Sequence, residues 1–220
     1  MTFTRRAFSA LLSATGFAAL TGLPLLRTIG SAAAQSQTAA DVAKPSPLGD
    51  MALGPENASV TIVEYASMTC PHCAAFTLNV FPKLKAEYID TGKVRFVFRE
   101  FPLDLKAAAG SMLARCIGKS DAAKYFAVVD LLFRQQTDWV LSNTADALKR
   151  IGRQAGLSED QVNACLKDQK ILDGIQETQD YASKTLKVNS TPTFFVNGTL
   201  VRGETSLEAF EKMINPLLKA

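Results

Sequence analysis

The sequence predicts an α/β fold in which a small mixed sheet carries a long helical insertion. Three observations lead there. Residues 59–101 read strand, helix, strand, a βαβ unit that requires a parallel strand pair. Residues 105–186 hold only amphipathic, Ala-rich stretches with no strand pattern. Residues 191–203 then supply two strands around Asn197-Gly198, and a last helix follows. The order is β-α-β, helical block, β-β-α, all within 220 residues.

The first 34 residues stand apart. Arg5-Arg6 precedes the apolar run AFSALLSATGFAALTGLPLL, no acid occurs, and the small residues Ala32, Ala33 and Ala34 follow. This is the pattern of an export signal, 1–34, cleaved near Ala34. TRRAF also fits the twin-arginine pattern, so the export route stays open between that and general secretion. The many small residues and Pro24 argue against a permanent membrane anchor. Residues 35–55 lack apolar periodicity and carry Pro45, Pro47 and Pro55, which reads as an N-terminal tail or linker.

The stretch SVTIVEYAS, 59–67, is β-branched and apolar on both faces, as a central strand should be. PHCAAFTLNVFPKLKAEYID has helical spacing, with Pro71 acceptable in the first turn and Pro82 set to kink or interrupt it. KVRFVFREF, 93–101, is the second strand. Five helices are expected at 105–117, 121–136, 144–155, 159–167 and 170–187, with a capping box at Ser158 and Gln161. TPTFFVNGTLVRG forms the hairpin. Thr205 with Glu208 reads as a second capping box, opening a helix that runs to about Leu218.

Composition excludes several classes. Hydrophobic residues make up 47% and charged residues 20%, ordinary values for a packed domain. The net charge of +3 comes from 24 basic against 21 acidic residues. Removing Arg5, Arg6 and Arg27 with the signal leaves 21 against 21, so no basic surface points to nucleic acid. All four cysteines lie beyond the signal, and an even count in an exported chain favours pairing.

The chemistry concentrates at TCPHCAAF, 69–76. Cys70 and Cys73 are three apart and enclose His72, the single histidine of the chain. A zinc site needs four ligands, and a second pair would have to come from Cys116 and Cys165. A Cys-His protease needs a histidine distant in sequence, which does not exist here. A redox pair needs only what is present. A strand feeding a helix puts Cys70 at the helix N-terminus, where unpaired N–H groups and the dipole favour a thiolate. Cys73 lies one turn further in, so Cys70 is the expected attacking sulfur and Cys73 the resolving one. His72 offers a further donor, and a positive charge when protonated. Glu64 is a carboxylate on an otherwise apolar strand, costly there unless it has a role or a partner. Arg99 and Glu100, after the second strand, are weaker candidates for tuning the site.

VEYASMTCPHCAAF, the helical insertion and STPTFFVNG with its terminal helix together resemble the DsbA/DsbG-type periplasmic thiol:disulfide oxidoreductases of the thioredoxin superfamily. The resemblance covers residues 50–220. It implies a thioredoxin fold over 56–103 and 188–220, interrupted by an all-helical subdomain at 104–187. It implies a redox-active Cys70–Cys73 disulfide in place of any cofactor or metal, and a proton-relay role for Glu64 beneath the pair. It further implies a cis bond between Thr191 and Pro192, with Pro192 packed on the cysteines and the Thr191 backbone offered to substrate. Cys116 and Cys165 are either two core thiols or a structural disulfide, and the resemblance favours the bridge.

The function so implied is a periplasmic enzyme that introduces disulfides into exported proteins. Its partners would be reduced or unfolded exported chains and a membrane redox protein that recycles the cysteine pair. It would act as a monomer. The alternatives are an isomerase or reductase of the same fold, and a chaperone-like binding module with incidental thiols. Thr191 before the cis-proline keeps the isomerase in view. The short stretch ahead of the fold argues against the N-terminal association domain that isomerases of this type carry.

Overall fold

The computed structural model describes residues 38–203 and 205–218. The expected export signal lies outside them. A helical turn at 38–43 leads to strand β1 (Met51–Leu53), then β2 (Val60–Ala66). Helix α1 runs through 71–89, followed by β3 (Val94–Glu100). The insertion contains α2 (Leu105–Gly118), α3 (Ala122–Arg134), α4 (Gln136–Leu141), α5 (Thr144–Gln154), α6 (Glu159–Cys165) and α7 (Gln169–Lys184). The hairpin β4 (Thr193–Val196) and β5 (Thr199–Arg202) and helix α8 (Leu207–Leu218) complete the chain.

The sheet order is β1-β3-β2-β4-β5. β2 and β3 are parallel, as the βαβ unit requires, and the other pairs are antiparallel. Strand alternation gives the sheet two buried faces. Ile62, Phe96, Phe98, Phe194 and Val196 face one core, shared with α1, α8 and the insertion residues Leu113, Tyr125, Leu132, Trp139 and Leu148. Val63, Tyr65, Val97 and Phe195 face a smaller core with Ala182, Leu186 and Val188. The insertion therefore continues the core of the frame and returns through α7 to cover its other face.

Residues 35–55, expected as a tail or linker, belong to the fold from residue 38 onward. Val42 and Met51 are buried, and β1 pairs with β3 through Met51↔Phe98, Ala52↔Val97 and Leu53↔Phe96. Arg99 holds the segment. Its guanidinium donates to both carboxylate oxygens of Asp50 (2.9 and 2.8 Å), to the carbonyls of Val42 and Lys44, and to the Tyr65 hydroxyl. Five donors in a rigid fork meeting five acceptors make this a structural clamp.

Pro82 acts differently from a simple break. It cannot donate to the carbonyl of Leu78, and its ring crowds that carbonyl. The helix widens ahead of it into a π turn, Phe76–Val80, resumes as Phe81–Leu84 and widens again over Lys85–Ile89. The Ser158–Gln161 capping box is present with both reciprocal bonds. The Thr205–Glu208 box is not. Ser206 Oγ accepts from the Ala209 N–H at 3.3 Å, while Thr205 Oγ1 donates to the Gly203 carbonyl. Both residue pairs fit the sequence signature, and the chain enters the helix one residue later. Asn197 and Gly198 take φ values of 44° and 84°, the left-handed pair of a tight hairpin turn. Asn197 Oδ1 accepts from the Thr61 N–H at 2.7 Å, so the turn is also bound to β2.

Candidate active site

β2 ends at Ala66, and the turn Ser67–Thr69 delivers Cys70 to the start of α1. Cys70 is extended (φ −77°, ψ 120°), and Pro71 begins the helix. The Cys70 N–H donates to the Ser67 carbonyl at 3.1 Å. Thr69 Oγ1 donates to Asp104 Oδ2 at 2.7 Å, while Asp104 Oδ1 caps α2 through the Ala107 N–H. Ser67 Oγ accepts from the Leu103 N–H. The turn is thus bound to the start of the insertion as well as to its own helix.

Opposite Cys70 lies the Thr191–Pro192 bond, which is cis. The Thr191 carbonyl accepts from the Cys70 thiol at 3.3 Å across 121 residues of sequence. Cys70 and Cys73 are both free thiols, 5% and 0% exposed, so the pair is present in its reduced form.

The two sulfurs have opposite acidities. The Cys70 thiol is pulled down from an ordinary 9.0 to about 5. The Cys73 thiol donating to it is the largest cause. Burial opposes the shift, and Thr191 and the backbone N–H groups of Cys73 and His72 add to it. Thr191 acts in two senses: its carbonyl accepts a hydrogen bond from the thiol, whereas its buried hydroxyl has no protein partner and is free to donate to a thiolate. The Cys73 thiol is pushed up, first by burial, then by donating to Cys70 and by the charge of Glu64. His72 is exposed, and the part it plays in the Cys70 shift comes through its backbone N–H.

Glu64 sits on β2 between Phe98 of β3 and Phe194 of β4, on the face that carries the cysteines. It is 1% exposed, and its Oε1 has no protein hydrogen-bond partner. Burial pushes its carboxyl well above the ordinary 4.5, and the negative Cys70 pushes it further. Burial therefore favours the protonated form of this carboxyl over the charged one.

The structure gathers Cys70, Pro71, Cys73, Glu64, Thr191 and Pro192 at one place. Arg99 and Glu100 are elsewhere occupied. Arg99 clamps the N-terminal segment on the other sheet face, and Glu100, fully buried, pairs with Arg115 and accepts from the Tyr125 hydroxyl. Cys116 and Cys165 form a disulfide between α2 and α6, with Cα atoms 5.6 Å apart. Among the described residues, no group of three or more His, Cys, Asp or Glu could hold a metal ion.

Two contributors escape sequence reading. Asp104 bonds Thr69 while capping α2, and its only sequence signal is that of an ordinary helix cap. Gln136, in the short α4, donates from Nε2 to the carbonyls of Met68 (2.9 Å) and Cys70 (3.0 Å). Nothing in QTDWVL announces that contact.

A cysteine pair at the mouth of an α1 helix, facing a cis-proline on a five-stranded sheet, defines a thioredoxin-fold centre. A family model described as thioredoxin matches residues 46–216, and the chain belongs to that family. Its relatives carry the names of protein-disulfide oxidoreductases and of disulfide bond formation proteins. It is 39% identical over 150 residues to a putative protein-disulfide oxidoreductase of Rickettsia bellii, aligning 68% of this chain and 57% of that one. The chain thus spans well under two thirds of that relative. It is 32% identical to a probable disulfide bond formation protein D of Bacillus anthracis, over 76% of this chain and 77% of the other. Among solved structures, alpha-DsbA1 of Wolbachia pipientis superposes with a TM-score of 0.75 at 34% identity, covering 81% of this chain and 95% of that one.

Proposed function

We propose that this chain is an exported, periplasmic thiol:disulfide oxidoreductase that donates its Cys70–Cys73 disulfide to reduced proteins. The observation that carries the proposal is the opposed acidity of the two sulfurs, Cys70 low and Cys73 high, at the start of one helix. A client thiolate attacks Cys70 Sγ and the bond to Cys73 breaks. Cys73 leaves as a thiolate and takes a proton from Glu64. A second client thiol, giving its proton to the Glu64 carboxylate through solvent, attacks the client sulfur of the mixed disulfide. The client departs oxidised, and Cys70 leaves as a thiolate. Two electrons have passed from client to enzyme, and a membrane redox partner of the opposite task removes them.

Supporting roles follow from geometry. The Thr191 backbone and Pro192 present a short extended edge beside Cys70 to the client chain. Pro71 and the N–H groups of His72 and Cys73 preorganise the thiolate. The same acidity supports this direction of transfer. At pH 7 a thiol at about 5 rather than 9.0 stabilises the reduced pair by about 3 kcal/mol, or roughly 60 mV of oxidising power. The test is the reduction potential of the pair together with oxidative refolding of a reduced protein. A potential well above roughly −270 mV, with net disulfide formation, is expected. A potential at that thioredoxin-like value, with reshuffling or reduction alone, would replace the oxidase with an isomerase or reductase.

A further inference from the structure

We infer that Gln136 is a positioning residue, through which the helical insertion holds the cysteine turn in its reactive shape and sets the reactivity of Cys70. The proposal rests on Cys70 being the attacking sulfur. Both N–H bonds of one amide are spent on two carbonyls of the same turn, Met68 O and Cys70 O. The Cys70 carbonyl also accepts from the Ala74 N–H of α1 at 3.2 Å. Gln136 therefore joins the first turn of α1 to the loop before it.

The donor is itself held rigidly. Trp139 lies three residues on, on the same side of α4. Its Nε1 donates to the Leu132 carbonyl at 2.8 Å, and it is fully buried. Its ring and the Met68 side chain both lie against Gly110 of α2, where an added Cβ would stand 3.3 Å from each. So α4 and α2 grip Met68 while Gln136 grips the backbone on either side of Thr69. α4 is a helix of only six residues and could not hold this pose alone.

The electrostatic consequence has a definite sign. Two carbonyl oxygens, each partly negative, lie within the turn that carries the Cys70 thiolate. The amide hydrogens offset them, and they keep the first N–H groups of α1 aimed at the sulfur. Removing the donors takes the Gln136 bond from the Met68 carbonyl, leaves the Cys70 carbonyl with the Ala74 N–H alone, and loosens the turn. Both changes disfavour a thiolate at Cys70.

The test is the thiolate absorbance and alkylation of Cys70 against pH in Gln136→Leu, Gln136→Glu and Gln136→Lys, with thermal unfolding measured alongside. Gln136→Leu is expected to raise the titration midpoint by about one pH unit, a tenfold loss of thiolate below it. Gln136→Glu keeps the size, loses the donors when ionised, adds a negative charge and should raise it further. Gln136→Lys restores donors to both carbonyls and should return the midpoint to the wild-type value or below. A wild-type midpoint in Leu and Glu variants, whatever their melting temperatures, overturns the proposal. So does a Lys variant that titrates like Leu. Alkylation of wild type at Cys73 before Cys70 would instead overturn the assignment of the attacking sulfur.

Discussion

The molecule holds two cysteine pairs that share an element and little else. Cys70 and Cys73 lie three residues apart at the N-terminal end of α1, and they are free thiols. Cys116 and Cys165 are separated by 49 residues, near the C-terminal ends of α2 and α6, and are bonded. The helix dipole is positive where the first pair sits and negative where the second does. A thiolate is therefore favoured at Cys70 and disfavoured at Cys116 and Cys165. The first pair closes too short a loop to restrain an unfolded chain greatly, while the second restrains it well. Position along a helix and distance along the chain suit one pair to the proposed exchange and the other to architecture.

The strongest way to break this comparison is to remove each pair in turn. Cys70→Ala should abolish thiol–disulfide exchange in insulin reduction and in oxidative refolding. The Cys116→Ala, Cys165→Ala double variant should retain exchange in both assays. Full activity in Cys70→Ala would collapse the distinction.

A second measurement separates the pairs by pH. The folded pKa of Cys70 is depressed, so the stability it lends the reduced protein is fully present above about 9.0 and lost as pH falls through about 5. Cys73, raised from an ordinary 9.0, stays neutral in folded and unfolded chains across that window until pH nears 9.0. Glu64, raised, weakens the fold as pH climbs past 4.5, through burial in both redox forms and through the negative Cys70 in the reduced form alone, which offsets part of the Cys70 gain. The stability of the reduced protein relative to the oxidised one should therefore grow between pH 5 and 9, by up to about 5 kcal/mol. Denaturant unfolding of both forms across that range reads it directly. A pH-independent difference would sink the low Cys70 acidity.

The third effect is slightly smaller. Losing the Cys116–Cys165 bridge releases a 49-residue loop and should cost about 4 kcal/mol by the chain-entropy account. Guanidinium unfolding of the double variant measures it, and the Cys70 titration should stay where it is. A shifted titration would show that the architectural pair reaches the reactive one.

Much of this frame is legible in the sequence because it is written in strong local signals. The Val- and Ile-rich β2, the Asn197-Gly198 turn and the strand-free insertion each announce themselves without tertiary help. The cysteine spacing and the helix that follows it are equally plain. What stays hidden depends on partners far along the chain. β1 is three residues with no alternation, and it forms because β3 pairs with it and Arg99 binds Asp50. α4 follows α3 with one residue between, so its periodicity merges with its neighbour's, and Gln136 is hidden with it. Leu105 looks like part of the apolar face that carries Cys116, yet it is 88% exposed at the first turn of α2, beyond the reach of any core. At the cysteine pair, residue type and spacing are local, and so is the Cys73 thiol that does most to lower Cys70, whereas the burial that raises Cys73 and the smaller contributions of Thr191 and Glu64 come from the rest of the fold.

The sheet order carries one more consequence. Its outermost strands are β1 and β5, of three and four residues, while β2 and β3 in the middle have seven. An outer strand offers unpaired ladder groups to any extended chain, and the offer grows with its length. The oxidoreductase proposed above would meet client chains before they fold, among ready-made pairing partners. Keeping the long strands interior and the rims short lets such a molecule handle sticky material at its cysteines without being recruited into it along its sides.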